Sequence, residues 1–209
     1  MSMLHKNDSQ PPSTPTGRAM RADAQSNRQA LLATARRLFS DLGTGVALRT
    51  VAAEAGVGIG TLYRHFPTRD DLIVGLVQDT RDRIVAMAER RSATWNSEPA
   101  KTWTAFATEL SQLALGVLSG AGANADIGEL ASARIDAMRV QGFAAVDTLL
   151  LRAKASGLVA DEIEPDRFLA GLAAIGRPLA PEIQQRLPGQ AQWLVGVYLR
   201  GLRDSLASD

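Results

Sequence analysis

The sequence contains no cysteine, which excludes disulfide bonds and any metal site built on thiolate ligands. It also lacks an apolar run of the roughly 18 residues that a membrane-spanning helix needs. The N-terminal stretch is polar and rich in proline, unlike the apolar core of a secretory signal peptide. Together these absences predict a cytoplasmic protein without a membrane anchor.

Signatures of enzymes are missing as well. Only two histidines occur, and no His-Glu-x-x-His, Gly-x-Ser-x-Gly or Walker A pattern is present. The glycine-rich residues 120–125 lack the lysine of a phosphate-binding loop, so we interpret them as a connection. The sequence therefore predicts a protein that is not an enzyme and that uses neither a cofactor nor a metal ion.

Charge is distributed unevenly along the 209 residues, although the whole chain carries a net charge of only +1. Residues 18–69 contain eight arginines and three carboxylates, a net charge of +5. Residues 73–209 contain 14 basic and 16 acidic side chains, a net charge of −2. A basic N-terminal module on a slightly acidic body is typical of a nucleic-acid-binding protein with a separate second function.

Two short helices joined by a glycine are predicted within residues 50–66. Apolar residues recur at helical spacing in the first helix, and Gly56 is the residue type that ends helices. Leu62 and Phe66 form the apolar side of the second helix, and we expect both in the core. The opposite side is a ridge of hydrogen-bonding side chains: Thr61, Tyr63, Arg64 and His65. This is a helix-turn-helix pattern, whose second helix reads DNA.

The residues around this pattern resemble the N-terminal DNA-binding signature of the TetR family of transcriptional regulators. The matching segments are residues 31–39, 51–52, 55–57 and Gly60-Thr-Leu-Tyr-Arg-His-Phe66, within a similarity that runs from about Arg28 to Leu76. The resemblance implies an all-α fold of about nine helices. It implies an N-terminal three-helix DNA-binding domain and a C-terminal helical domain for ligand binding and dimerisation.

The chain departs from the family where the first helix of the motif begins. Family members usually place Ser or Thr there, whereas this chain has Val46 and Ala47. Neither side chain can cap the free amide groups of a helix start, so we expect this start to lack a cap.

Three segments follow from this pattern: a disordered tail at residues 1–25, a DNA-binding domain at 26–72 and a regulatory domain at 73–209. The first helix is expected at residues 26–41, with Ser26 as its cap. Two interpretations of the tail stay open. It is either a solvated segment or an arm whose Arg18 and Arg21 reach a minor groove.

The DNA contacts are predicted from the ridge and from the matching family positions. Arg64 is suited to a guanine and Ile59 to a thymine methyl group, while Tyr63 and His65 match family positions that grip phosphates. Arg69 stands where the family usually has lysine, and a phosphate would relieve its conflict with the helix dipole. The predicted DNA-binding set is Arg28, Arg49, Thr50, Gly58, Ile59, Gly60, Thr61, Tyr63, Arg64, His65 and Arg69.

Gly58 and Gly60 allow two explanations at the start of the second helix. Turn geometry alone can require glycine, or the missing side chains let the backbone approach DNA closely. Both glycines weaken helix propensity by up to about 1 kcal/mol relative to alanine.

The rest of the chain is predicted to be helical. Thr68 and Asp71 form a capping-box pattern before a helix that continues to about Arg91. Further helices are expected at residues 101–119, 127–156 with an interruption near Gln141–Gly142, about 165–176 starting at Pro165, and about 189–206.

The body needs a dimer interface and a sensing site. Because helix-turn-helix proteins usually bind two half-sites as symmetric dimers, the last two long helices are predicted to pair, with an internal core role as the alternative. The predicted interface residues are Phe168, Leu172, Ile175, Trp193, Val197 and Arg200. The predicted ligand-pocket residues, which a plain core role would also explain, are Trp103, Phe106, Leu110, Arg134, Met138 and Phe143.

The sequence thus predicts a homodimeric regulator that binds double-stranded operator DNA, represses transcription and is released by a small-molecule effector. The alternative is a helical ligand-binding or scaffold protein that keeps the fold without binding an operator. A steep loss of DNA affinity with rising salt would distinguish the first from the second.

Overall fold

The computed structural model describes residues 17–113, 127–177 and 179–203. This part of the chain forms nine α-helices and no strand, which confirms the all-α prediction. The helices are α1 Gly17–Leu42, α2 Leu48–Glu54, α3 Ile59–His65, α4 Arg69–Thr94, α5 Pro99–Ser111, α6 Glu129–Ala155, α7 Pro165–Ile175, α8 Pro181–Arg186 and α9 Gln190–Gly201. None of the described helices is long and apolar enough to cross a membrane.

The first three helices and the start of α4 share an N-terminal hydrophobic core. Leu31 and Leu32 of α1 pack there with Leu62 of α3, with Phe66 and with Leu72 of α4. All five are buried, which confirms the predicted core positions of Leu62 and Phe66. Burial of a leucine-sized side chain stabilises a fold by about 1.5–3 kcal/mol, so this core holds the short α2 and α3 in place.

The turns of this module follow the local sequence signals. Gly43 and Gly56 adopt φ angles of 81° and 69°, a left-handed conformation that glycine accepts without a steric penalty. Ala47 precedes α2 without a side-chain cap, as predicted. Thr68 and Asp71 form the predicted capping box at the start of α4, where each side chain accepts from the other residue's backbone N–H.

Helices α4 and α6 connect the two halves of the molecule because each packs into both cores. Leu76 of α4 and Ile135 of α6 belong to the N-terminal core, whereas Ile84 and Val146 belong to a C-terminal core. The two helices are 26 and 27 residues long and pack closely against each other. A displacement of α6 would therefore be transmitted to the helix that carries the N-terminal module.

An ion-pair cluster joins α1 to α4 beside the N-terminal core. The carboxylate of Asp79 accepts from Arg36 of α1, and its Oδ2 lies 2.7 Å from Nε of Arg83. Burial lowers the pKa of Arg36, the neighbouring cation Arg83 lowers it further, and Asp79 offsets part of this. Loss of Asp79 would leave an uncompensated arginine in a largely buried site, so this cluster fixes α1 against α4.

Aromatic rings fill the C-terminal core between α5, α7 and α9. Trp103 stacks on Phe168 with ring centroids 4.9 Å apart, and Phe168 faces Tyr198 at 6.4 Å. The Tyr198 hydroxyl donates to the backbone carbonyls of Arg167 and Phe168. A Cβ on Gly171 would overlap the Tyr198 ring, so glycine there permits α7 and α9 to approach.

The structure corrects the predicted start of α1. Residues 17–25 are helical rather than part of a disordered tail, and Ser26 lies inside the helix instead of capping it. This segment has no apolar face, but alanine, arginine and glutamine favour helix, and extending a packed helix requires no new nucleus. Residues 1–16, predicted as tail, lie outside the described residues.

Two further corrections concern the body. Helix α6 continues through Gly142, because that glycine is buried against α4, with Ile84 and Arg81 each 4.0 Å from where its Cβ would stand. The short helix α8 was not predicted, although Pro181 occupies its first turn and Glu182 complements its dipole. The predicted helix at residues 101–119 is described only as far as Ser111 and the turn after it, since residues 114–126 lie outside the described part.

Candidate nucleic-acid interface

Helix α3 presents one side to the core and the other to solvent. Leu62 is fully buried, whereas Tyr63 is 49% exposed and Arg64 is also exposed. Ile59, at the helix start, is 43% exposed and adds an apolar side chain to this surface. Thr61 and His65 are half-buried at the edges of this surface. The predicted ridge is therefore on the outside of the molecule.

Helix α2 adds two side chains to the same module. Arg49 and Thr50 lie in its first turn and are exposed, while Val51 and Ala52 directly after them are buried. Among the described residues, neither Arg49 nor Arg64 forms an ion pair. Two uncompensated guanidinium groups on α2 and α3 are available to a polyanion, because no carboxylate neutralises them.

The backbone geometry tests the first of the two explanations for the glycines that begin α3, that of turn geometry. Gly58 has a φ of −66° and a ψ of 146°, values that any residue adopts. Neither Gly58 nor Gly60 has a positive φ, and an added Cβ at either would meet no atom within 4 Å. Turn geometry in the free protein therefore does not require these glycines, and they leave an open surface over the first turn of α3.

Arg28 of α1 lies beside the end of α3. Its guanidinium carbon is 5.3 Å from the centroid of the Phe66 ring, within the range of a cation–π contact. Phe66 directly follows α3 and is buried. The structure therefore places Arg28 next to the last turn of α3, where it is half-buried rather than extended into solvent.

Arg69 has a structural role that was not predicted. Its guanidinium donates to the carbonyl of Thr44 and, through Nη2, to the carbonyl of Val46 at 2.8 Å. These two hydrogen bonds use two of the five guanidinium N–H donors, so Arg69 has partners within the chain that its local sequence does not indicate. Because Thr44 and Val46 directly precede the uncapped start of α2, Arg69 holds the turn that orients α2. Its contact with a phosphate stays a prediction.

The structure does not bring the predicted ligand-pocket residues together. Trp103, Phe106 and Leu110 are buried in the C-terminal core, whereas Met138 packs against the N-terminal core. Arg134 is exposed on α6. The prediction of one shared pocket is therefore wrong for the described residues, because the long helix α6 spans both cores and separates these positions.

Two residues of that set have notable surroundings. Phe143 is partly exposed and lies at a surface cavity of about 410 Å³ that Asp147 and Glu164 also line. Trp103 is buried, and the described part of the chain offers no acceptor for its indole N–H. An unpaired buried donor costs about 1–3 kcal/mol.

The predicted dimer residues divide into two groups. Phe168 and Leu172 are fully buried inside the single chain, so their assignment to the interface is wrong: they pack against α5 and α9. Ile175 is half-buried, and Arg200 is exposed. The exposed apolar residues of α8, α9 and the connections beside them are Leu179, Ile183, Leu187, Trp193 and Val197. We call these five residues the α8–α9 patch.

The part of this patch that α8 supplies was not predicted from the sequence. Ile183 and Leu187 are four residues apart, the spacing of one helix face, and they follow a proline suited to a first turn. That signal was present but short, since α8 has only six residues.

Two family models match the chain. Residues 31–76 match the bacterial regulatory proteins of the tetR family, and residues 98–204 match the C-terminal domain described as transcriptional regulator SbtR-like. The second match covers more than half of the chain. The chain belongs to the TetR family of transcriptional regulators. Members of this family are non-enzymatic DNA-binding transcription factors, which confirms the prediction that the chain is not an enzyme.

Individual TetR-family relatives agree with this assignment. An HTH-type transcriptional regulator of Staphylococcus aureus strain USA300 is 41% identical over 64 residues, 30% of this chain and 35% of the relative. The match thus spans about a third of the length of the curated relatives. The regulator SCO0520 from Streptomyces coelicolor is 28% identical with a TM-score of 0.55, covering 85% of this chain and 99% of that one.

Two further solved structures share the architecture. A TetR transcription regulatory protein from Mycobacterium vanbaalenii is 28% identical, with a TM-score of 0.56 over 88% of this chain and 99% of that chain. LfrR from Mycobacterium smegmatis, solved in complex with proflavine, is 23% identical with a TM-score of 0.60. The match covers 88% of this chain and 99% of LfrR. The last similarity concerns the fold alone.

Proposed function

We propose that this chain is a cytoplasmic, homodimeric repressor that binds a roughly palindromic double-stranded operator and is released by a small molecule. Residues up to 72 would bind DNA and residues 73–209 would regulate that binding. The observation that carries the proposal is the solvent-facing ridge of α3, where Tyr63 and Arg64 stand opposite the buried Leu62. This division leaves polar donors free for DNA while the core holds the helix.

Each exposed side chain suits a particular part of DNA. Arg64 would donate to the edge of a guanine in the major groove, and Ile59 would contact a thymine methyl group. Tyr63 and His65 would donate to phosphates, and so would Arg49 from α2. Thr50 and Thr61 are placed to bond the backbone or a base edge, and Arg28 borders the same surface from α1.

Gly58 and Gly60 support a close approach of α3 to the DNA. Their missing side chains leave the first turn open, and the free protein gives no other reason for glycine there. The helix backbone could then lie nearer to the groove edge than an alanine would allow.

Dimerisation would use the α8–α9 patch. Trp193 is 60% exposed and Val197 39%, on a helix whose Val195 and Leu199 are buried in the same subunit. Exposed large apolar side chains fit a self-complementary interface, and Arg200 is exposed on the same helix as Trp193 and Val197. Two-fold pairing would place two copies of α3 in successive major grooves, about 34–36 Å apart.

Release would follow from a shift between two conformations. An effector that binds the regulatory domain better in one conformation changes the separation of the two α3 helices through α4 and α6. Among the solved structures of this fold, LfrR is in complex with proflavine and FadR from Bacillus subtilis with stearoyl-CoA. These precedents support a ligand screen that starts from planar cations and long-chain acyl thioesters.

The proposal is tested by selecting bound sequences from random DNA and titrating the selected duplex at several salt concentrations. We expect a palindromic consensus and a steep loss of affinity with rising salt. Arg64→Ala should weaken binding mainly to the selected duplex, by about 1–3 kcal/mol, whereas Tyr63→Phe should weaken binding to all DNA. If no sequence is enriched and both variants bind like the wild type, the scaffold alternative replaces the repressor.

The interface is tested separately by sedimentation. Trp193→Glu should convert the dimer to a monomer, since it replaces the most exposed large apolar side chain of the α8–α9 patch with a charge. Leu151→Glu is a matched control, because Leu151 is similarly exposed but lies on α6, away from the α8–α9 patch. Dissociation by the control and not by Trp193→Glu would move the interface to α6.

A further inference from the structure

We propose that a cleft between the end of α1 and the connection from α7 to α8 binds a small zwitterion that carries a carboxylate and an ammonium group. The cleft has a volume of about 780 Å³, within the roughly 300–1,000 Å³ that small-molecule sites occupy. One wall belongs to the DNA-binding module and the other to the body. The lining side chains that carry the argument are Arg37, Ser40, Asp41, Arg177, Leu179 and Gln184.

The α1 wall is the outer face of the last turns of that helix. Arg37, Ser40 and Asp41 are spaced i, i+3 and i+4, which places them on one face. All three are exposed. Leu38 and Phe39, which lie between them in the sequence, are buried in the N-terminal core and fix this end of α1. The core thus holds a polar face towards the cleft without closing it.

The opposite wall is held by the end of α7. Gly176 ends this helix, and a Cβ there would overlap the backbone carbonyl of Ser111 in α5. Arg177 follows directly, so its backbone starts from a point that is packed against α5. Leu179 is fixed from the other side, because Nε2 of Gln184 donates to its carbonyl at 2.7 Å. The connection that carries Arg177 is therefore anchored on both sides in the free protein.

Two opposite charges line the cleft without neutralising each other. Among the described residues, neither Asp41 nor Arg177 forms an ion pair or a side-chain hydrogen bond. Asp41 lies in the last turn of α1, where a carboxylate opposes the helix dipole, and that turn contains no basic residue to offset it. Asp41 therefore favours a cationic partner, and Arg177 favours an anionic one.

Arg37 adds a second guanidinium group to the α1 wall. Its Nη2 lies 2.9 Å from a carboxylate oxygen of Glu54, and the two side chains are 54% and 52% exposed. An exposed ion pair of this kind contributes little to stability, because solvent screens it and both side chains lose freedom. Arg37 is therefore available to share a ligand carboxylate with Arg177.

A zwitterion fits these charges better than a simple ion. A phosphate or another dianion would meet the carboxylate of Asp41, and an organic cation would meet two guanidinium groups. A molecule with both groups binds Asp41 through its ammonium and Arg177 through its carboxylate. The methylene groups between them would pack against Leu179, which is 39% exposed. Amino acids are the chemical class that carries these two groups.

Such a ligand would connect the two halves of the molecule. Its ammonium would bind α1 and its carboxylate the connection after α7, so it favours the relative position of the halves in which both contacts form. A change in operator affinity would follow, and by linkage the operator would change the affinity for the ligand by the same factor. This coupling rests on the proposed repressor function, whereas the binding site itself does not.

The first test measures the binding of ω-amino acids to the full chain without DNA. Ligand-observed NMR titration at low salt compares γ-aminobutyrate, δ-aminovalerate and ε-aminocaproate with caproate, which lacks the amine, and hexylamine, which lacks the carboxylate. We expect at least one amino acid to bind about ten-fold more tightly than either single-ended probe, because its second contact forms within the complex. Equal affinities for all the probes, or no binding of the amino acids, would overturn the proposal.

Charge variants locate the binding in the cleft. Asp41→Asn and Arg177→Gln should each reduce the affinity for the amino acid about ten-fold, to that of the single-ended probes. The exchange Asp41→Arg/Arg177→Asp should recover most of the affinity, since a zwitterion can bind in the opposite direction. Unchanged affinity in both single variants would place the binding outside the cleft.

Two matched controls remove exposed charges elsewhere. Asp161→Asn changes a carboxylate after α6, and Arg167→Gln changes a cation on α7. Both should bind the amino acid like the wild type. A loss of affinity in these controls as large as in Asp41→Asn and Arg177→Gln would show a general charge effect instead of a site.

A separate titration tests the coupling to DNA. With the amino acid at saturation, the affinity for the selected operator should change at least about five-fold in the wild type and remain unchanged in Arg177→Gln. Equal operator affinity with and without the amino acid would overturn the coupling but not the site. If no operator is selected from random DNA, the repressor function fails, whereas the titrations without DNA still decide on the cleft.

Discussion

Asp70 on α4 accepts a hydrogen bond from the backbone N–H of Gly128, with Oδ2 and the nitrogen 3.1 Å apart. Gly128 is the residue that precedes α6, and it has no side chain with which to cap that helix. A carboxylate from another helix therefore supplies the acceptor and the negative charge that a helix N-terminus favours. Its neighbour Arg69 holds the turn before α2, so consecutive residues link α4 to the DNA-binding module and to the regulatory helix.

Asp70→Ala should loosen the start of α6, because the N-terminal amide groups lose their only acceptor from another helix among the described contacts. We expect faster hydrogen exchange at residues 129–132 and a loss of about 1 kcal/mol in the free energy of unfolding. Asp70→Asn keeps an acceptor oxygen, so its exchange rates and its free energy of unfolding should lie between those of the wild type and Asp70→Ala. Asp161→Ala, which removes an exposed carboxylate elsewhere, is the control; equal exchange in all variants would show that the contact does not hold α6.

Arg69→Ala should destabilise the DNA-binding module, since two backbone carbonyls lose a charged donor. Hydrogen bonds to charged groups contribute about 1.5–3 kcal/mol, and urea denaturation should report a loss of that order. DNA affinity should fall for every sequence, because the turn before α2 is no longer held.

Arg69→Lys distinguishes this role from a phosphate contact. A lysine keeps the charge but cannot reproduce the planar fork that reaches Thr44 and Val46 together. We expect stability close to that of the alanine variant. Unchanged stability in both variants, with a weaker salt dependence of DNA binding in the alanine variant alone, by about one phosphate contact, would favour the predicted phosphate contact instead.

Features that depend on a few consecutive residues could be predicted from the sequence. The Thr68–Asp71 capping box and the left-handed Gly56 are local, since their partners are within four residues. The separation of Leu62 from Tyr63 also follows from helical spacing alone. The helix-turn-helix surface was therefore predictable before any tertiary contact was known.

Features that depend on distant residues were not predictable. Arg69 meets carbonyls 23 and 25 residues away, and nothing in its local sequence indicates them. Helix α7 is apolar enough to face a partner, but α5 and α9 of the same chain cover Phe168. Which apolar helix face becomes the core depends on which helices reach it, and a periodic pattern does not contain that information.

Tyr198 should make the protein sensitive to alkali. Burial raises the pKa of its hydroxyl to about 12, from an ordinary value of 10. Between these two values the unfolded chain loses the proton while the folded chain keeps it, so stability falls as pH rises through this range. In urea denaturation between pH 10 and 12, Tyr198→Phe should remove this decrease of the free energy of unfolding with rising pH. Only two tyrosines are present, so ultraviolet titration can assign the high-pH transition by its disappearance in the variant.

Gly60→Ala tests whether α3 approaches DNA closely. In the free protein an added Cβ at this position meets no atom within 4 Å, and the backbone has no positive φ. Alanine also favours helix over glycine by up to about 1 kcal/mol, so the variant should be as stable as the wild type or slightly more stable. If the backbone of α3 lies against the groove edge, the new methyl group must displace it, and affinity for the selected operator should fall about ten-fold or more.

Gly201→Ala is the control and should bind DNA normally. An added Cβ at Gly201 also meets no atom within 4 Å, but this residue lies at the end of α9. Undiminished affinity of Gly60→Ala would mean that the glycine leaves space which the DNA does not use.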